Sequence, residues 1–360
     1  MNKKLLIGGA AVAVLLGGAY VFGSGSLMQG SFGGWSSGLS DLELTIDAST
    51  PSSDILVLDQ ENQEVAVFKL TSDTDDYIVE DMDLSIKADV ANNISAAHLE
   101  YENSDGDLET KTGYFLSSGV ASFSGLDVFV AGADDAKVTV YVDLSGVADG
   151  ATPGDRFAVT LKATDAVNQN TGDTGRATSV AAVGEIMQVF ESKPTLALSS
   201  TSPSGARTVS SSDEVFVFNV SAHDSEDVDL VILTVDFASD GDFNLAADGD
   251  TVYLKNGGTT VATGLLVVSD ADEAHVRLIP SSSFAVSGGD TESLSIVLDT
   301  TSLMDVDAGE DDMLTATIDL GHFSPTGTSK TGFLWNDTNI DAHWVGDVSN
   351  SNFSSNTLVY

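Results

Sequence analysis

The sequence predicts an all-β protein made of two tandem β-sandwiches behind an N-terminal apolar segment. Three observations support this prediction. Apolar and polar residues alternate with period two through most of the chain after residue 41, which is typical of half-buried strands. Turn-forming Asp-Gly and Gly-Gly pairs separate the alternating segments. One pattern of four segments occurs twice in the same order, at an offset of 150 to 157 residues.

The segment 78–86 illustrates the alternation. We expect one face to point into the core and the other to face water, as the strands of a sandwich require. The predicted inward residues are Ile78, Met82, Leu84 and Ile86, and the predicted outward residues are Asp81, Asp83 and Ser85.

The repeat assigns one sandwich to each half of the chain. Residues 44–51, 64–70, 138–143 and 157–161 correspond in spacing to residues 196–203, 214–220, 294–299 and 314–318. Each repeat is about the size of one immunoglobulin-like sandwich with long loops. We therefore predict a signal or anchor segment at 1–24, a Gly/Ser-rich spacer at 25–40 and immunoglobulin-like sandwiches at 41–191 and 192–360.

Composition excludes several classes of function. The chain has 55 Asp and Glu residues against 14 Lys and Arg, a net charge of −41, and a surface this anionic repels nucleic acid. It has no cysteine, which excludes disulfides, thiol nucleophiles and cysteine-based metal sites.

The N-terminus predicts export. Lys3 and Lys4 precede an apolar run from Leu5 to Val21, the arrangement of a secretory signal. A run of this length also suffices to span a bilayer if it is not cleaved. The sequence leaves cleavage and membrane anchoring open, and in both cases the sandwiches face the cell exterior.

Several motifs resemble the tandem sandwich surface proteins of candidate-phyla (Patescibacteria-type) bacteria. These are the Glu-Val-x-Val-Phe strands at 64–68 and 214–218, the strands 98–101 and 252–254, the segment 138–155, and the C-terminal segments 331–337 and 356–360. The resemblance covers most of residues 42–360. It implies a cell-surface location and a structural or adhesive role, without a specific chemistry.

Crowded acidic loops are candidate calcium sites, because Ca²⁺ prefers hard oxygen ligands. The first candidate has oxygen ligands at Asp240, Asp242, Asn244, Asp248 and Asp250, and a similar cluster spans Asn103, Asp105, Asp107 and Glu109. Neither has the spacing of an EF-hand loop. The same residues also suit solvated turns. We therefore expect calcium as a cofactor only if these loops bind metal.

The motifs of common enzymes are absent, which predicts a non-enzymatic protein. The sequence has no His-Glu-x-x-His, no phosphate loop and no Gly-x-Gly-x-x-Gly between a strand and a helix. Trp335 and Trp344 form a candidate aromatic platform for sugar, and packing in the second core is the competing interpretation.

The expected function is an exported surface protein with a structural, assembly (S-layer-like or filament-like) or adhesive role. Its expected partners are further copies of the chain, other surface proteins or glycans, and the membrane if the N-terminal segment is not cleaved. The alternative is a carbohydrate- or ligand-binding module that uses the Trp335/Trp344 region.

Overall fold

The computed structural model describes residues 39, 41–178, 182–240, 249–270, 273–301, 313–318, 320, 332–337, 343–344 and 353–360. The predicted signal or anchor segment and nearly all of the predicted spacer lie outside these residues. Within them, no helix has the length and apolarity needed to cross a membrane. Two short 3-10 helices occur, at Ala88–Asn93 and Val147–Asp149, and all other regular structure in these residues is β-strand.

Twelve strands form in the first half of the described chain: β1 (Leu42–Ile46), β2 (Ile55–Val57), β3 (Gln63–Ser72), β4 (Tyr77–Ser85), β5 (Ile94–Glu102), β6 (Leu108–Gly113), β7 (Val120–Val130), β8 (Asp134–Leu144), β9 (Arg156–Phe157), β10 (Thr160–Asn168), β11 (Thr174–Thr178) and β12 (Met187–Phe190). Fourteen strands form in the described residues of the second half: β13 (Pro194–Leu198), β14 (Gly205–Ala206), β15 (Asp213–Ala222), β16 (Val228–Asp240), β17 (Thr251–Asn256), β18 (Thr259–Asp270), β19 (Glu273–Pro280), β20 (Ala285–Val286), β21 (Thr291–Leu298), β22 (Met313–Ile318), β23 (Phe333–Asn336), β24 (His343–Trp344), β25 (Phe353–Ser354) and β26 (Leu358–Val359).

The first half has an immunoglobulin-like strand order. Its two main sheets have the orders β1-β3-β8-β5-β6 and β11-β10-β4-β7. An immunoglobulin sandwich places strands A, B, E and D in one sheet and C, F and G in the other. In chain order, β1, β3, β8 and β5 take the A, B, E and D positions, and β4, β10 and β11 take the C, F and G positions. Strands β6 and β7 lie between D and E in sequence and extend one sheet each.

The second half has the same arrangement. Strands β13-β15-β21-β17-β18 follow one another, and the β18–β19 pair connects them to β19-β16-β22-β26. The C-terminal strand β26 pairs with β22 as strand G pairs with strand F. Strand β14 runs parallel to β26, and in the first half β2 runs parallel to β12. The predicted all-β, immunoglobulin-like fold class is therefore confirmed for the described residues.

Each half encloses its own hydrophobic core. The first cluster contains inward-facing side chains between Leu39 and Val189. The second contains side chains between Val215 and Leu358, together with Ile55 and Phe190 from strands β2 and β12. Burial of apolar surface stabilises such cores by roughly 25 cal/mol per Å². The second core is thus completed by side chains from the first group of strands.

Strand β4 corrects the predicted inward face of segment 78–86. Tyr77 and Val79 are fully buried, whereas Ile78 is only partly buried. The pairing register shifts between Val79 and Asp81, and the burial pattern then continues with Met82 and Leu84 inside. A bulge of this kind moves the alternation by one residue, so the predicted place of Ile78 on the inner face was wrong. The predicted place of Ser85 on the outer face was also wrong, since Ser85 is buried at the end of β4.

A turn fixed by a side-chain oxygen follows the first strand of each half. Asp47 Oδ1 accepts hydrogen bonds from the amide of Ser49 (2.8 Å) and the hydroxyl of Ser49 (2.6 Å), and Lys137 Nζ lies 3.0 Å away. In the second half, the hydroxyl of Ser199 accepts from the amide of Thr201 at 3.3 Å. Such local bonds stabilise turns where a strand ends.

Two glycines permit close approach between neighbouring strands. A Cβ on Gly264 in β18 would lie 2.5 Å from the carbonyl oxygen of Arg277 and 2.6 Å from Cγ2 of Val276, both in β19. A Cβ on Gly113, at the end of β6, would lie 2.6 Å from the ring of Phe123 in β7. At Gly264 a larger residue would require the backbone of β19 to shift, and at Gly113 it would require the ring of Phe123 to move.

We expect Gly264→Ala to lower the free energy of unfolding by about 1–3 kcal/mol, because the added methyl group overpacks the β18–β19 contact. Urea denaturation of the variant and the parent protein measures the change. Gly258→Ala is the matched control, since a Cβ there meets open space, and it should change stability by less than about 0.5 kcal/mol. Equal effects of the two substitutions would contradict the close approach at Gly264.

Asp47 should make stability depend on pH between about 2 and 4. Hydrogen bonds from the hydroxyl and the amide of Ser49, with a further contribution from Lys137, lower the pKa of Asp47 from 3.8 to about 2. The unfolded chain therefore binds this proton more readily, and the stabilisation is present above pH 4 and is lost as the pH falls through 2. Melting temperatures at pH 5 and pH 2 should differ less in Asp47→Asn than in the parent. Asp73→Asn, at an exposed carboxylate, should keep the parent's difference. An unchanged difference in Asp47→Asn would contradict the assignment.

Candidate functional site

The predicted calcium loop lies mostly outside the described residues. Asp240 is the last residue of β16, and Asp242, Asn244 and Asp248 are not among the described residues. Asp250 precedes β17, and its carbonyl oxygen accepts a 2.8 Å hydrogen bond from the amide of Leu266. Within the described residues, no group of three or more histidine and acidic side chains is placed to hold a metal. The calcium site at Asp240–Asp250 stays a prediction.

The second acidic cluster fixes the β5–β6 turn. Asn103 Oδ1 accepts hydrogen bonds from the amides of Asp105 (3.0 Å) and Asp107 (2.9 Å). Asn103 Nδ2 donates to Glu109 Oε1 at 2.8 Å, and the hydroxyl of Tyr101 donates to Glu109 Oε2 at 3.2 Å. Burial, and then the charge and hydrogen bond of Glu109, raise the pKa of Tyr101. The turn interpretation therefore accounts for Asn103 and Glu109.

Trp335 is a core residue, which corrects its predicted place in a sugar-binding platform. It lies in β23, its side chain has no exposed surface, and its ring packs edge-on against Phe190 with centroids 5.5 Å apart. A buried ring offers no face to a sugar. The backbone of Trp344 in β24 pairs with Leu334 of β23, but its side chain is not among the described groups, so its predicted role is untested.

Phe190 and Trp335 are the centre of the contact between the two sandwiches, a feature that the sequence analysis missed. Phe190 is the last residue of β12 and is fully buried, and Ile55 in the neighbouring strand β2 is also buried in the second core. Strand β12 pairs in parallel with β2, and the carbonyl oxygen of Phe190 accepts a 2.8 Å hydrogen bond from the amide of Leu58. Both side chains are thus held by a two-strand pair of the first half while they pack in the second core. We call this set of contacts the junction.

Only three residues, Glu191–Lys193, separate β12 from β13, and each makes a hydrogen bond at the junction. The amide of Glu191 donates to Asp337 Oδ2 at 3.1 Å. The buried hydroxyl of Ser192 donates to the carbonyl oxygen of Glu226 at 2.7 Å. Lys193 Nζ lies 2.6 Å from Asp54 Oδ1, which precedes β2. The segment between the sandwiches is therefore fixed to both of them.

The outer side of β8, β5 and β6 is acidic. His98, Glu100 and Glu102 follow one another on the outer side of β5 and pair with Thr112, Thr110 and Leu108 of β6. Tyr141 in β8 pairs with His98, and Glu64 in β3 pairs with Tyr141. Burial is the largest cause of the raised pKa of Tyr141, and the charges of Glu100 and Glu64 add to it. We call this surface the acidic face; its members are Glu64, His98, Glu100, Glu102, Leu108, Tyr141 and Asp143.

A hydrogen-bonded histidine lies on the acidic face. His98 Nδ1 is 2.9 Å from Thr112 Oγ1, and His98 Nε2 is 2.8 Å from Asp143 Oδ2. Burial acts to raise the pKa of Asp143, but the amide of Asn62 and the imidazole of His98 outweigh it, so the pKa lies below its usual value. The same carboxylate borders a shallow cavity of about 200 Å³ that Asp59, Glu61 and Asp149 also line. This cavity adds negative charge beside the acidic face.

Strands β17, β18 and β19 of the second half carry an apolar surface. Leu265 and Val267 in β18 and Ile279 in β19 are all exposed, Leu265 with 61% of its surface and Ile279 with 52%. Tyr253 in β17 lies beside them, because Tyr253 pairs with Thr263 and Thr263 pairs with Ile279. Lys255, His275 and Arg277 occupy alternate positions on the same strands. We call this surface the apolar face; its members are Tyr253, Lys255, Thr263, Leu265, Val267, His275, Arg277 and Ile279.

Comparisons with known proteins give only distant likenesses. No protein-family model and no curated protein matches the chain. Among solved structures, the collagen-binding subdomain of the Enterococcus faecalis surface protein ACE is 9% identical, with 43% of this chain and 92% of that chain covered and a TM-score of 0.18. The collagen adhesin of S. aureus is 8% identical, with 89% and 92% covered and a TM-score of 0.19. The major pilin subunit BcpA of Bacillus cereus is 10% identical, with 73% and 63% covered and a TM-score of 0.24. By their descriptions these are a surface-protein subdomain, a collagen adhesin and a pilin, and TM-scores this low show no role for this chain.

Proposed function

We propose that the chain is an exported, non-enzymatic cell-surface protein with a structural, assembly or adhesive role. The single observation that carries the proposal is the junction. A protein that bears tension or holds a lattice position needs its sandwiches coupled, and flexible linkers between domains do not provide this coupling. Here the only link residues are hydrogen-bonded, and the first group of strands completes the second core.

The charge of the chain fits the same role. A net charge of −41 keeps an exported protein soluble, and the acids of β4, β5 and β6 occupy outward positions where water solvates them. Asp213 in β15 is an exception, since it is buried and bound by Arg207 and Tyr360. We also propose that the loop Asp240–Asp250 binds calcium and that the chain is one of the candidate-phyla surface proteins. Divalent cations at that loop would bridge acidic surfaces of neighbouring molecules.

We expect Phe190→Ala to uncouple the two sandwiches. The substitution removes a buried ring that fills the second core from the first group of strands, at a cost of about 3–5 kcal/mol. Thermal unfolding followed by calorimetry should give one transition for the parent and two separated transitions for the variant. Phe129→Ala, which removes a ring that is 37% exposed in β7, is the matched control and should keep one transition. An equal number of unfolding transitions in the two variants would contradict the coupling of the sandwiches through Phe190.

Surface exposure tests the proposed location. Intact cells that produce the full chain are treated with a membrane-impermeant amine reagent, which reaches the exposed side chains of Lys87 and Lys137. We expect labelling of the chain before lysis and no labelling of a cytoplasmic control protein. A chain that lacks residues 1–24 should be labelled only after lysis. Labelling of the full chain only after lysis would contradict export.

A further inference from the structure

We propose that the apolar face of one copy of this chain docks on the acidic face of a second copy, so that copies associate head to tail. This inference rests on the proposed surface-assembly function and names the partner and the surfaces. The apolar face lies on β17, β18 and β19, and the acidic face lies on β8, β5 and β6. Of these strands, β17 and β18 occupy the positions that β5 and β6 occupy in the first half.

The apolar face exposes several neighbouring apolar side chains. Tyr253, Leu265, Val267 and Ile279 are exposed neighbours on adjoining strands, whereas single exposed apolar residues are ordinary on protein surfaces. The opposite sides of the same strands already fill the second core with Val252, Leu254, Leu266, Val276 and Leu278. The outer side chains therefore have no role in the packing of that core.

The apolar face also carries two of the few basic residues of the second half. Residues 191–360 contain five Lys and Arg residues: Lys193, Arg207, Lys255, Arg277 and Lys330. Lys193 and Arg207 form ion pairs with Asp54 and Asp213. Lys255 and Arg277 lie instead on the apolar face, where Lys255 Nζ is 5.6 Å from the centre of the Tyr253 ring. Glu273 and Asp236, which pairs with His275, lie at the opposite end of this surface. The part around Tyr253, Lys255 and Arg277 therefore combines apolar surface with positive charge, and its complement is apolar and acidic.

The acidic face supplies that complement. Glu64 pairs with Tyr141, Glu102 pairs with Leu108, which is 70% exposed, and Glu100 lies between His98 and Glu102 on the outer side of β5. Within the described residues the apolar face is exposed, and the occupant that we propose for it is the acidic face of a second copy. Because the two docked surfaces differ, the contact is heterologous, and repeating it head to tail adds copies in an open chain or, where the rotation closes, in a ring.

The test uses sedimentation velocity of the purified full chain over a range of concentrations at about 0.1 M salt, where exposed charges interact within about 10 Å. The apolar-face variant is Lys255→Glu with Arg277→Glu, and the acidic-face variant is Glu100→Lys with Glu102→Lys. We expect the parent to form growing oligomers, and each variant alone to need at least a tenfold higher concentration to associate. An equimolar mixture of the two variants should associate again, because each reversed face then meets a complementary face.

Controls separate this result from unfolding and from unrelated association. Leu265→Asp should weaken association as the charge variants do, whereas Val209→Asp and Lys87→Glu, both exposed outside the two faces, should leave it unchanged. The melting temperature of every variant shows that it is folded. A monomeric parent at all concentrations, association that persists in both charge variants, or a mixture that stays monomeric would each overturn the proposal. Export of a chain that does not self-associate would leave the proposed surface location standing, so the two failures are distinguishable.

Discussion

The burial of Phe190 and Ile55 in the second core is the constraint on which the rest of the structure depends. Both residues belong to the parallel β2–β12 pair of the first half, and the ring of Phe190 packs against Trp335. Because hydrophobic burial and the hydrogen bonds of Glu191 and Ser192 act at the same place, the two sandwiches share one packed boundary. A β-sandwich normally completes its own core. Here the second core is complete only when Phe190 and Ile55 of the first half are in place.

The distribution of charge follows from the same fold. Alternation puts the carboxylates on the outer sides of strands, where water or a partner solvates them. The matching outer faces of the two halves nevertheless differ, since β5 carries Glu100 and Glu102 while β17 carries Tyr253 and Lys255. One strand order thus presents two surfaces of opposite character. In the proposed role, these surfaces determine which molecules the protein contacts, and no reactive group is needed.

The strands were predictable from the sequence, whereas the junction was not. The β-prone segments at 64–70 and 214–220 located β3 and β15, although residues 65–68 and 215–218 are buried on both faces. The bulge that displaces Ile78 left no trace in the sequence pattern. The burial of Trp335 depends on Phe190, which lies far away in sequence, and no local pattern reports such a contact. Leu265, Leu266, Val267 and Val268 are four consecutive apolar residues, and of these Leu266 is buried whereas Leu265 and Val267 are exposed. Which side of an apolar strand remains uncovered is decided by tertiary packing.

Native-state hydrogen exchange at the junction amides tests the central claim most directly. The amides of Leu58, Gln188 and Glu191 donate to Phe190, Asp54 and Asp337 across or beside the shared boundary. If the two sandwiches are one packed unit, these amides open only with global unfolding and exchange as slowly as those of the core strands β3 and β15. Exchange at the rate of exposed turn amides, while the core strands stay protected, would show that the sandwiches move independently and would contradict the account.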